Sequence, residues 1–124
     1  MQLIDIITPA RVAANLEGGS KKRILELASE FIAAESGLDA STVYQGLIDR
    51  ERLGSTGIGY GVAIPHCRLQ DMAQTDAMGY LIQLNQGVDF DAIDNQPVEL
   101  IFILLVPQTT NQVHLNLLAH LADC

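Results

Sequence analysis

The chain has 124 residues, of which 48% are hydrophobic and 18% charged, and its formal net charge is −8. That size and balance describe one packed globular domain, not a disordered tail or two separately cored units. The acidic charge argues against a nucleic-acid binder held by phosphate contacts and against docking on an anionic membrane surface.

The charge is unevenly placed. All 7 basic residues lie at or before Arg68, namely Arg11, Lys21, Lys22, Arg23, Arg50, Arg52 and Arg68 itself. Asp71, Asp76, Asp89, Asp91, Asp94, Glu99 and Asp123 follow with no Lys or Arg among them. The 2 cysteines, Cys67 and Cys124, form no disulfide framework, which points to a reducing cytoplasm. The start, Met1-Gln2-Leu3-Ile4-Asp5, lacks the basic and apolar regions of a signal peptide. The longest apolar run, Leu100 to Val106, is far short of the ~20 residues of a membrane span, so no membrane insertion is expected.

In chain order, Ser20 is placed to cap a first helix. Its apolar stripe is Ile24, Leu27, Ala28 and Phe31, and its end is expected near Gly37. A second helix is expected from Asp39, as N-cap, to Arg50, with Val43, Leu47 and Ile48 inward. Gly54, Gly57, Gly59 and Gly61 then make a turn-rich segment. Val62-Ala63-Ile64 is a short strand that Pro65 should end. Ala77 to Leu84 alternates as a strand with Met78, Tyr80, Ile82 and Leu84 on one side. Asn85 to Pro97 reads as a polar loop with a short extended piece at Val88 to Phe90. Val98 to Val106 reads as a central strand buried on both faces.

Beyond Pro107, Thr109 and Gln112 match a capping box, with Thr109 as N-cap. The helix that follows carries His114, Leu117, Leu118 and Leu121 on one stripe. It stops at Cys124 without a C-cap, so the chain is expected to be a single domain, residues 1–124, cut short at its C-terminus. Helices alternating with buried strands imply a layered α/β domain.

The chemistry concentrates between Arg50 and Arg68. Glycines there either present backbone N–H groups to a phosphate or simply make a tight turn. P-loop and dinucleotide motifs do not fit, because no Lys is present and the glycines follow a helix and precede a strand. His66, fixed behind Pro65, is a competent nucleophile near pH 7. Attack on a phosphoryl group needs in-line positioning and surrounding positive charge, which Arg52 and Arg68 are placed to supply. His114 is either a satisfied helix histidine or a second imidazole at a phosphate-binding helix start. Cys67 next to His66 invites a thiol-nucleophile reading, but adjacent strand residues point to opposite sides. His66, Cys67, His114 and His120 lack metal-ligand spacing, so neither metal nor cofactor is expected.

The segment Arg50-Glu51-Arg52-Leu53-Gly54-Ser55-Thr56-Gly57, continued through Ile64-Pro65-His66, resembles the enzyme IIA domains of the bacterial phosphoenolpyruvate-dependent phosphotransferase system. The likeness is to the fructose/mannitol type and, within it, to the nitrogen-regulatory branch. It implies a mixed β-sheet sandwiched between α-helices. It also implies a phosphoryl group accepted on His66 from a phosphorylated HPr-type carrier and passed to a regulatory protein or a sugar permease. By the same resemblance Arg52 and His114 are the other catalytic groups. Ser55, Thr56, Gly57 and Arg68 are expected to bind phosphate. The sequence departs from the family pattern at Cys67, where Gly is usual, at Arg68, where Lys is common, and at Tyr60, where Asn is frequent. Two further readings are a regulatory module whose phosphorylation only switches partners and a Cys67-dependent thiol enzyme.

Overall fold

The computed structural model describes residues 9–69 and 78–107. A 3-10 turn, Pro9–Arg11, leads into β1 (Val12–Leu16), α1 (Lys21–Ser36) and α2 (Ala40–Arg52). Then come β2 (Gly57–Gly59), β3 (Val62–Ala63), β4 (His66–Leu69), β5 (Met78–Val88) and β6 (Val98–Pro107). The strands form one six-stranded mixed sheet in the order β1-β5-β6-β3-β2, with β4 also paired to β6. The expected helix with Thr109, Gln112 and His114 lies outside the described residues, as does Ala77.

Both helices start on the expected caps and α1 stops at the expected glycine, while α2 runs two residues past Arg50, to Arg52. Ser20 Oγ accepts from Arg23 N at 3.2 Å. Asp39 Oδ2 accepts from Thr42 N at 3.0 Å, and Gly37 closes α1 with φ 82°. Such caps satisfy backbone groups that the helix itself leaves unpaired. The buried stripe of α1 is rotated from the expected one. Ile24 and Ala28 are buried, but Leu25, Ser29 and Ile32 complete the set, while Leu27 and Phe31 are only half-buried. α1 packs against both α2 and β5, which widens its buried arc beyond a single row. The buried Ser29 hydroxyl is satisfied by the Leu25 carbonyl at 2.7 Å.

β6 is the centre of the sheet, as its unbroken apolar run implies. It pairs antiparallel with β5 and parallel with β3 and β4. Ile101, Ile103 and Leu105 join the cluster built with α1 and α2, and Leu104 and Val106 on the other face are also fully buried. Met78, Tyr80, Ile82 and Leu84 line the same core, as their alternation implies. β5 runs four residues further than expected, to Val88, so that the extended piece at Val88 is its end. β1 has no counterpart in the sequence reading. Val-Ala-Ala-Asn-Leu has weak strand propensity and no alternation, and it is ordered by parallel pairing with β5.

The largest departure is at Pro65. The strand does not end there; it pauses and resumes as β4. Val62 and Ala63 pair with Leu100 and Ile101, and His66 to Leu69 pair with Leu104 to Pro107 in the same continuing register. Proline lacks an N–H and opens a gap in the ladder, yet its carbonyl still accepts from Leu104 N at 2.9 Å. Substituting Ile101, which is fully buried, by Ala is expected to cost about 2–5 kcal/mol in urea unfolding. Leu100→Ala, one residue away but exposed, should cost well under half of that.

Candidate functional site

Three local features build the surroundings of His66. The first is the prolyl break. Ile64 N donates to Thr56 O at 2.9 Å, and the Ile64 carbonyl accepts from His66 Nδ1 at 3.0 Å. That bond places the ring proton on Nδ1 and leaves Nε2 with its lone pair exposed to attack chemistry.

The second is the approach of α2 to β4. A Cβ on Gly46 would stand 3.1 Å from Cys67 Sγ and 3.1 Å from Leu69 Cδ2, so the helix lies tight against the strand. Arg50 is one helical turn after Gly46 and therefore on the same face. Its Nε donates to His66 Nε2 at 3.4 Å, and its Nη1 donates to the Gly54 carbonyl at 2.9 Å.

This corrects the choice of arginine. Arg50, not Arg52, stands at the histidine. Two residues along a helix turn the side chain by about 200°, and Arg52 points outward. Its side chain is 72% exposed and pairs with Asp49 at 3.5 Å.

The third feature is the glycine hairpin. Tyr60 and Gly61 both have positive φ, 59° and 78°, the backbone of a two-residue hairpin turn between β2 and β3. Tyr60 N donates to Asp94 Oδ2 at 3.0 Å, which pins the turn to the loop before β6. Ahead of the hairpin, Thr56 donates both its N–H, at 3.0 Å, and its hydroxyl to Glu51 Oε1. Ser55 Oγ donates to the Phe90 carbonyl at 2.5 Å and accepts from Gly57 N at 3.0 Å. The expected phosphate cradle of Ser55, Thr56 and Gly57 is thus corrected in part. The Thr56 and Gly57 N–H groups and both hydroxyls are engaged inside the protein, so the segment acts as a braced turn.

Arg68 is exposed on β4, two residues after His66 and so on the same strand face. His114 lies outside the described residues. Glu51, buried beside Arg50, and Lys21, which pairs with it, had no role in the sequence reading. The only signal in the sequence was their charge, and charge does not say which acid is inward. Among the described residues no group of three His, Cys, Asp or Glu could hold a metal ion. A cleft of about 360 Å³ between Glu17–Gly19 and Asn85–Val88 shares no residue with the His66 surroundings.

The electrostatics favour a neutral imidazole. Burial lowers the His66 pKa below its ordinary 6.5, partly offset by the Ile64 hydrogen bond, with the Arg50 charge lowering it further and the Glu51 charge opposing. Burial also pushes the Cys67 thiol up to about 12. A thiol that keeps its proton is a poor nucleophile, which counts against the thiol-enzyme reading.

The mixed sheet thus carries one imidazole at a broken strand, met by an arginine. Residues 5–124 match the family described as phosphoenolpyruvate-dependent sugar phosphotransferase system, EIIA 2, and the chain belongs to that family of phosphoryl carriers. In particular, it is 46% identical over 123 residues to the nitrogen regulatory protein of Pseudomonas aeruginosa, an alignment covering 98% of this chain and 79% of the relative. The crystal structure of the nitrogen regulatory protein IIA-Ntr from Neisseria meningitidis superposes with a TM-score of 0.86 at 45% identity, covering 98% of this chain and 83% of that one. The mannitol IIA structure from Escherichia coli shares the fold at 20% identity, with a TM-score of 0.73 over 94% of this chain and 81% of that one.

Two outcomes follow from the titration directions. By 15N NMR, His66 should be the Nδ1–H tautomer at pH 7 and should titrate below 6.5. Its contribution to stability is unchanged above pH 6.5, where both folded and unfolded chains carry a neutral ring. It is lost as pH falls through the folded pKa, because the unfolded chain takes up the proton first. Iodoacetamide mapping should find Cys67 alkylated far more slowly than in unfolded protein, since its thiolate is roughly a thousandfold rarer.

Proposed function

We propose that this protein is a cytoplasmic phosphocarrier of the phosphoenolpyruvate-dependent phosphotransferase system. It accepts a phosphoryl group on His66 Nε2 from a phosphorylated HPr-type carrier and serves nitrogen regulation. The observation that carries this reading is the His66 ring itself: Nδ1 is tied to the Ile64 carbonyl and Nε2 is unprotonated and faces the Arg50 guanidinium.

In the transfer, the Nε2 lone pair attacks phosphorus in line. The new N–P bond forms as the bond from phosphorus to the donor carrier breaks, and that electron pair leaves with the donor. Arg50 is placed to follow the group, exchanging the Nε2 lone pair for the phosphoryl oxygens, which its planar fork suits. The Ile64 carbonyl stabilises the positive charge that the ring acquires. Arg68, on the same face of β4, adds to the local positive field. His114 is assigned as the second imidazole of the site, donating to the phosphoryl oxygens. Among the described residues no helix is long and apolar enough to cross a membrane.

Nitrogen regulation is supported by the relatives bearing that name at 46% and 45% identity. Phosphorylation adds about 1.5–2 negative charges beside Arg50 and Arg68, enough to alter which regulatory target docks there. A second reading is a sugar-specific IIA component passing the group to a fructose/mannitol-type permease, which the family description supports. Dephosphorylation that depends on a sugar and its permease would select that reading.

Incubation with phosphoenolpyruvate and the general phosphotransferase proteins should yield an acid-labile phosphoprotein. His66→Ala should take no label; equal labelling of this variant would overturn the assignment. Arg50→Ala should slow transfer by roughly 10²-fold, on the scale of losing one charge-stabilising donor, while Arg52→Ala should change it less than threefold.

A further inference from the structure

We propose that Glu51 is a positioning residue for the His66 centre: its buried carboxylate, drawn away by Lys21, braces the turn at Thr56 and leaves the neighbouring Arg50 guanidinium to His66. The inference rests on the reading of His66 as the phosphoryl acceptor and names the groups that hold its arginine in place.

The Glu51 side chain is 5% exposed, with the Lys21 ammonium 2.5 Å from Oε2. Among the described residues that oxygen has no other partner, and the ammonium is what offsets its charge. Oε1 takes both donors of Thr56. A buried carboxylate is costly to desolvate, and an apolar side chain of similar size would often serve stability as well. The network is also more extensive than a single ion pair. Lys21 donates to the Phe90 carbonyl at 3.2 Å and stands 5.2 Å from the Phe90 ring centre, and Ser55 donates to that same carbonyl. Lys21 also stands 3.8 Å from the exposed Asp91 Oδ2. The start of α1, the end of α2, the turn before β2 and the loop after β5 thus meet around the Lys21–Glu51 pair.

Its relation to Arg50 follows from chain order. Arg50 and Glu51 are consecutive, and their side chains grip the same turn two positions apart, Arg50 at the Gly54 carbonyl and Glu51 at Thr56. Gly54 has φ 151°, a backbone that side-chain-bearing residues rarely adopt, and the two grips hold the turn that this glycine permits. The carboxylate nearest in sequence to Arg50 is thereby committed to Lys21 and Thr56. Among the described residues no carboxylate pairs with Arg50, and its charge remains directed at Nε2. Without Lys21, Glu51 would be a buried anion without a counter-ion, one residue from Arg50, and would compete with His66 for the guanidinium.

The test uses the full chain with the HPr-type donor. Lys21→Met should lower the transfer rate at saturating donor about tenfold with KM within about twofold, and should shift the Arg50 Nε–H and His66 15N signals. Lys21→Met combined with Glu51→Gln should recover most of the rate, because the competing charge is gone. Lys21→Arg should transfer like wild type. A lower melting temperature in Lys21→Met with unchanged rate and unchanged Arg50 and His66 signals would overturn the proposal, as would a double variant no faster than Lys21→Met. Should Lys21→Met fail to fold, Glu51→Leu alone decides, since Leu cannot accept from Thr56 and the brace is lost. A shifted Arg50 signal and slower transfer support the proposal, and wild-type values for both overturn it. Wild-type protein that took no label on His66 would defeat the functional reading, and the Arg50 and His66 signals would still decide the positioning role.

Discussion

The two-residue interruption at Ile64-Pro65 governs the site. β3 and β4 run along β6 in a single register, so the sheet treats them as one parallel strand. An uninterrupted strand would spend the Ile64 carbonyl on the ladder and leave the next histidine to find its own rotamer. The missing proline N–H opens the ladder, and that carbonyl turns to His66 Nδ1 instead. One backbone defect thus orients the ring, chooses its tautomer and exposes Nε2. The central position of β6, buried on both faces, keeps the defect from spreading.

Packing then decides what faces that nitrogen. The absence of a side chain at Gly46 lets α2 press onto Cys67 and Leu69, and helical periodicity carries Arg50 to the imidazole one turn later. Arg50 and Arg52 are chemically equivalent in the sequence. Only the helix phase distinguishes them, and that phase is set by which side of α2 meets β4. The same contact buries Cys67 and keeps its thiol protonated, so that the cysteine next to the nucleophile serves as packing.

Much of the architecture was legible because local signals agreed with the fold. Ser20, Gly37 and Asp39 mark helix ends through capping, which depends on a few neighbouring residues. The alternation of Met78, Tyr80, Ile82 and Leu84 and the apolar run of β6 reflect one-face and two-face burial directly. β1 was not legible, because its order comes from its pairing with β5 and not from its own residues. The rotated stripe of α1 was hidden for a related reason. Leu25 and Ile32 are no more apolar than Leu27, and only contact with both α2 and β5 selects among them. At the site, the glycines announced a turn correctly. Their suggested use as phosphate donors was wrong for Thr56 and Gly57, because Glu51 and the Ser55 hydroxyl occupy those groups first.

The sequence by itself determined the helix caps, the central strand, the glycine turn and the identity of the one histidine behind a proline. Each is written in residues close together along the chain, where backbone preference and periodicity act. The tertiary structure alone decided that Arg50 and not Arg52 meets that histidine, that Glu51 is buried against Lys21, and that the strand resumes after Pro65. Those outcomes depend on which surfaces meet across the fold. The physical reason is that charge and hydrogen bonding are assigned by distance in space, and α1, α2, the hairpin and β4 come within reach of one another only after the sheet has formed.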